Sequence, residues 1–221
     1  MQRASRNHLV WISDTAWQEI GAAQPDAEAR QIVGHWQAKR LPLVVRRQPD
    51  DLAAGRLAVG LPAPLRWARR KLAFEVRIDA AQMDGAFPTL LQLARSNRRW
   101  GSAAIELSSA LVLAGASVRV YGSHGWQALT GERYLHRDSD IDLHIEVPDV
   151  NVARAATNLL QAVRLPRCLD GELVFPDGSS IAWREFHQAL ARRTTEILVK
   201  SLRGPRLVPT ASILQMESSR Q

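Results

Sequence analysis

In residues 140–147, DIDLHIEV, every second side chain is apolar: Ile141, Leu143, Ile145 and Val147 share one face, while Asp140, Asp142, His144 and Glu146 share the other. A period of two predicts a β-strand with its apolar face in a core and its polar face turned to a site. Two aspartates on one face repel each other unless something neutralises them, and a divalent cation does so. Magnesium, or manganese, suits such a pair, because it takes a few carboxylates and leaves the other positions to phosphate oxygens and water. A solvated strand end at the turn-like Asp138-Ser139-Asp140 is the alternative reading of the pair alone.

Upstream, SVRVYGS (117–123) reads as a strand running into a tight Gly122-Ser123 turn before a helix. Backbone N–H groups at such a turn, with the Ser123 hydroxyl, can cradle a triphosphate. Asp140 and Asp142 would then hold metal between that triphosphate and an attacking hydroxyl.

The rest of the chain bounds the class. Its 221 residues make one large domain or two small ones, and 46% hydrophobic residues supply a core. No apolar run reaches membrane-spanning length and the start shows no signal-peptide pattern, so a cytoplasmic location is expected. Cys168 is the single cysteine, which excludes an internal disulfide, and the six histidines have no zinc-ligand spacing with it. Of 29 basic residues only Lys39, Lys71 and Lys200 are lysines, and the net charge is +7. Arginine favours phosphate or carboxylate partners, although a solvated surface accounts for the charge equally well.

Prolines interrupt residues 1–88, and the short apolar runs LPLVVRR and GRLAVGLP predict strands of a small N-terminal α/β domain in which Trp11 and Trp17 pack. Residues 89–221 form the second domain. There FPTLLQLARS and SAAIELSSALVLAGA predict helices, the latter ended by Gly115, and VARAATNLLQAVR predicts another. CLDGELVF and SSIAWREF flank Pro176-Asp177-Gly178 as a hairpin. A helix through HQALARRTTEILVKSL and an exposed tail close the chain.

Gly-Ser followed by Asp-x-Asp on the next strand resembles the nucleotidyltransferase superfamily, which implies an α/β (α+β) fold: a mixed sheet with helices on one face, plus the small N-terminal α/β domain. The stretch between Ser123 and Asp140 is longer than most of that superfamily uses. The whole string YGSHGWQALTGERYLHRDSDIDLHIEV closely resembles the malonate decarboxylase holo-acyl-carrier-protein synthases, or phosphoribosyl-dephospho-CoA transferases. HLVWI, PLVVRR, VGLP, DGELVFPDG and ILVKSLRGPRLV are weaker echoes along the chain. The resemblance implies transfer of the phosphoribosyl-dephospho-CoA group from triphosphoribosyl-dephospho-CoA to a serine of the malonate decarboxylase acyl carrier protein, with release of pyrophosphate. It also implies magnesium or manganese on Asp140 and Asp142, and a third carboxylate nearby.

Glu172 is the preferred third carboxylate, being further into its strand, with Asp170 beside Gly171 as the alternative. His144 and Glu146 lie further along the strand, in support of the site or in solvent. Arg46, Arg47, the cluster Arg66, Arg69, Arg70 and Lys71, and Arg95, Arg98 and Arg99 are candidate phosphate grips or solvated surface. Lys200, Trp126 and Tyr134 are candidate substrate contacts, with a snorkelling stem and core packing as their alternatives. An ordinary nucleoside triphosphate donor is the competing enzyme reading, and a basic nucleic-acid-binding module the non-enzymatic one. The intact aspartates argue against the module, and no nucleic-acid or membrane partner is expected.

Overall fold

The computed structural model describes residues 5–191 and 194–214. The first five strands, β1 (Leu9–Ile12), β2 (Leu43–Val45), β3 (Arg56–Pro62), β4 (Lys71–Arg77) and β5 (Ala81–Gly85), form an antiparallel sheet in the order β4-β3-β2-β1-β5. In β4 the alternation is complete, with Leu72, Phe74 and Val76 buried and Lys71, Ala73, Glu75 and Arg77 exposed. Helices α1 (Asp14–Ala22) and α2 (Ala27–Ala38) cover this sheet. Ser13 and Asp26 cap them by accepting the N–H groups of Ala16 and Ala29. Trp17, Ile32 and Trp36 fill the core and Trp11 packs at its edge.

The second sheet is mixed. Its strands are β6 (Ser117–Val120), β7 (Ile141–Glu146), β8 (Leu169–Val174), β9 (Ser180–Ala182), β10 (Glu196–Lys200) and β11 (Pro205–Pro209), in the order β11-β10-β9-β8-β7-β6. Among the described strands only β7 and β8 run parallel, and α6 (Val150–Ala162), capped by Asp149, makes the crossover that a parallel pair requires. With α3 (Leu90–Ser96), α4 (Gly101–Leu113) and α7 (Trp183–Leu190), it lays Leu90, Leu111, Ala153 and Phe186 on Ile141, Leu143 and Ile145. The apolar face of β7 is thus sealed and its polar face turns toward the N-terminal unit. Gly115, at φ +91, ends α4 as expected.

Two expectations fail at the C-terminal end. The segment expected to be one long helix divides: α7 stops at Leu190, and EILVK is β10, with Ile197 and Val199 buried between β9 and β11. β-Branched residues at alternate positions favour that pairing over a helix. The hairpin's second arm likewise ends at Ala182, and Trp183 begins α7. Arg192, Arg193 and the tail from residue 215 lie outside the described residues.

Helix α5 (Gly122–Thr130) and the loop after it join β6 to β7, yet they pack into the other unit's core. Trp126 and Tyr134 are 5% and 3% exposed, and their rings meet the cluster that holds Trp67 and Phe87. Among the described residues no helix is long and apolar enough to cross a membrane.

Candidate active site

Gly122 and Ser123 form the first turn of α5, directly after β6. No side chain caps this helix, so its first N–H groups and positive end are left for an anion. Ser123 is half-buried and its hydroxyl has no hydrogen-bond partner among the described residues. Gly122 adopts φ +57, and a Cβ there would lie 1.8 Å from Asp142 Oδ2. Glycine is therefore required twice, by the backbone and by the approach of the carboxylate to the helix end. Tyr121 N–H donates to the Asp142 carbonyl at 3.0 Å and fixes the relation of the two strands at this point.

Asp140, exposed, immediately precedes β7, and Asp142, half-buried, is its second residue. The parallel register sets Asp170 of β8 opposite Asp142 and Glu172 opposite His144. Directly paired positions place Asp170 about 4.8 Å across from Asp142 on the same face. Gly171, at φ +137, allows the two strands to meet, since a Cβ there would stand 2.0 Å from the Leu143 carbonyl oxygen. Burial, then the charges of Asp170 and Asp140, push the Asp142 carboxyl up to about 6. Among the described residues none of the three aspartate side chains has a hydrogen bond or ion pair. Such like charges at the positive end of a helix fit a divalent cation. No three His, Cys, Asp or Glu side chains among the described residues form a preformed cage, so further positions in its coordination sphere would fall to substrate and water.

Glu172 has a different environment. It is 6% exposed, accepts from Lys200 Nζ at 2.7 Å and from Ser180 Oγ at 2.8 Å, and faces Arg6 at 3.7 Å. Burial alone would raise its carboxyl, but Lys200, Arg6 and Ser180 bring it below the usual range. Its charge is already balanced. The position preferred from sequence is thus tied to Lys200, and the alternative, Asp170, is the one beside Asp142. Lys200 is committed to Glu172 rather than snorkelling free.

Trp126 and Tyr134 are buried in the core of the N-terminal unit. Trp126 packs edge-on to Phe87 and stacks on Tyr134, whose hydroxyl donates to the Pro62 carbonyl at 2.7 Å. Both therefore sit where the alternative reading, core packing, places them. Arg46 and Arg47 are exposed, and with Arg6, Lys200, Val44 and Leu198 they line a cleft of about 410 Å³ between the two sheets. His144 is buried, with Nδ1 lacking a partner, whereas Glu146 is exposed. Together with His8 they border a cavity of about 610 Å³ at the far end of β7, away from the aspartates.

Three nearby groups escaped sequence reasoning. Arg6 arrives from the opposite end of the chain, which no local pattern signals. Tyr121 opens the string YGS, but its place among carboxylates depends on register: burial, then Glu172, Asp142 and Asp170, raise its hydroxyl's pKa, leaving a neutral donor. His136 touches the N-terminal unit through Arg69, with Arg69 Nη1 2.9 Å from His136 Nε2.

Two family models divide the chain between them. The phosphoribosyl-dephospho-CoA transferase MdcG N-terminal domain matches residues 5–83 and its C-terminal domain residues 89–211. A phosphoribosyl-dephospho-CoA transferase of Xanthomonas euvesicatoria is 33% identical over 225 residues, covering 98% of this chain and 99% of the relative. One from Bradyrhizobium diazoefficiens is 32% identical over 200 residues, covering 89% and 86%. A third, from Pseudomonas aeruginosa, is 31% identical over 171 residues, covering 76% and 77%. No solved structure matches.

Proposed function

Because the chain belongs to the phosphoribosyl-dephospho-CoA transferase family, we propose that it transfers the phosphoribosyl-dephospho-CoA group to a serine of the malonate decarboxylase acyl carrier protein from triphosphoribosyl-dephospho-CoA. The serine Oγ attacks the α-phosphorus, the bond from that phosphorus to the bridging oxygen breaks, and pyrophosphate leaves with that oxygen. The serine proton passes to solvent or to a carboxylate.

The observation carrying this reading is the junction of α5 with β7, where the uncapped helix end of Gly122 and Ser123 abuts Asp142 and, through it, Asp170. Backbone N–H groups and the Ser123 hydroxyl are suited to bind the triphosphate, holding its α-phosphorus before the aspartates. Asp140 and Asp142 are proposed to hold magnesium or manganese, with Asp170 opposite Asp142 as the carboxylate that would join them once the ion and substrate are bound; the ion would supply positive charge to the phosphates and lower the pKa of the attacking hydroxyl. The Tyr121 phenol, kept neutral, can donate to a phosphate or acceptor oxygen. The cleft with Arg46 and Arg47 offers apolar walls and a basic rim to the pantetheine arm. Binding energy from that arm, which ATP lacks, can position the reacting phosphorus.

Intact-mass spectrometry provides the test. With magnesium and triphosphoribosyl-dephospho-CoA, the carrier protein should gain one phosphoribosyl-dephospho-CoA mass on a serine, with pyrophosphate released. ATP should modify it at least about 100-fold more slowly, the loss expected when remote binding energy is removed. Equal adenylylation from ATP would reject the assigned donor and leave only a general nucleotidyltransferase.

A further inference from the structure

We propose that the N-terminal domain completes the active site with Arg69, whose guanidinium grips the β- and γ-phosphates that depart as pyrophosphate; this rests on the transfer reaction above. The backbone is the first observation. Ala68 and Arg69 are consecutive non-glycine residues in the left-handed region, at φ +49 and +58. Side chains seldom adopt that conformation, and two in succession persist only where the surroundings enforce it. The surroundings do so here. Trp67 is buried, Arg70 is held by Asp26 and Glu28 at 2.9 and 2.8 Å, and Leu65 N–H donates to the Arg133 carbonyl across the domain boundary at 2.9 Å. The strained turn thrusts the exposed Arg69 toward the loop that leads into Asp140.

The contact made there is the second observation. Arg69 Nη1 meets His136 Nε2 at 2.9 Å, while the Asp138 N–H approaches His136 Nδ1 at 3.2 Å. A neutral imidazole has one lone pair to offer, so it cannot accept from both donors, and a phosphate oxygen is a better acceptor for Arg69. Among the described residues the other guanidinium N–H groups of Arg69 have no acceptor. His136 is bound in turn to Ser139, the buried residue just before Asp140: its N–H donates to Ser139 Oγ at 3.0 Å. By contrast Arg66, from the same turn, is engaged with Glu132 and the Trp67 ring.

The decisive variant is Arg69→Gly, because glycine suits the left-handed backbone and removes only the side chain. Ala68→Gly relaxes the same turn and leaves the guanidinium. Transfer to the carrier protein, inhibition by inorganic pyrophosphate with magnesium, and binding of 3′-dephospho-CoA are measured for each. Arg69→Gly should melt no lower than the parent, lose about 100-fold in kcat/KM and at least about 10-fold in pyrophosphate affinity, and keep its dephospho-CoA affinity. Arg69→Lys should recover part of both losses, and Ala68→Gly should resemble the parent. Unchanged pyrophosphate inhibition in Arg69→Gly, or an equal loss in Ala68→Gly, overturns the assignment to Arg69. If the parent neither releases nor binds pyrophosphate, the transfer reaction itself is rejected along with it.

Discussion

Asp142 is held in an environment that stabilises its neutral form, yet the proposed chemistry requires its charge. The sign follows from the shift to about 6, above the usual carboxylate value. Below pH 4 both folded and unfolded chains are protonated and the group costs nothing. As pH rises from 4 to 6 the unfolded chain ionises first, and above 6 the full penalty remains. In metal-free protein Asp142→Asn should therefore raise stability at pH 7.5 by about 2 kcal/mol, discounted for partial solvent screening, and the gain should shrink toward zero near pH 4. The same substitution should abolish transfer. Denaturant unfolding in EDTA across this range, beside a turnover assay, checks both parts; a destabilised Asn variant at neutral pH would contradict the repulsion inferred here.

Among the elements, α5 and its loop have uses that a linear reading divides wrongly. The conspicuous residues of WQALTGERYL are anchors. Gln127 Oε1 accepts from the N–H groups of Tyr134 and Leu135 at 3.1 and 3.2 Å, and Glu132 collects His35, Lys39 and Arg66 at 3.0, 2.7 and 3.3 Å. Trp126 and Tyr134 complete the first domain's core. The loop between α5 and β7 is thereby fastened to the opposite domain. Trp126→Ala should cost about 3–5 kcal/mol, the usual price of a large aromatic removed from a core, and lower turnover only through loss of folded protein. Unfolding curves with activity per folded molecule separate this from a direct contact: unchanged stability with a raised KM would return Trp126 to the substrate. The strand β7 and helices α3, α4 and α6 were legible because one period runs through each of them. EILVK was misread because five residues following a helical pattern contain too few repeats to separate the two periods, and pairing with β9 and β11 decides the matter.

At the scale of the molecule, the two sheets are joined by charges as well as by a core. Arg6 and Lys200, from opposite ends of the chain, meet on Glu172, and Gln48 N–H donates to the Leu202 carbonyl at 2.8 Å nearby. Glu172→Gln should leave two cations without their buried partner and destabilise the fold by about 2–4 kcal/mol. Asp170→Asn, at an exposed position without an ion pair, should leave stability within about 0.5 kcal/mol and remove most of the turnover. Thermal melts and initial rates of the two variants give the ranking, and loss of turnover in Glu172→Gln at undiminished stability would restore Glu172 as the third carboxylate.

The sequence by itself determined the polar and apolar faces of β7, the Gly-Ser entry to a helix, the aspartate pair and the family, because each is written in neighbouring residues whose spacing is fixed by a strand or helical turn. Tertiary structure alone decided that Asp170 rather than Glu172 stands beside Asp142, that Trp126 and Tyr134 are buried, and that Arg6 and Arg69 approach from the other domain. Those outcomes depend on the register between β7 and β8 and on contacts between segments far apart in the chain, and no local period encodes either.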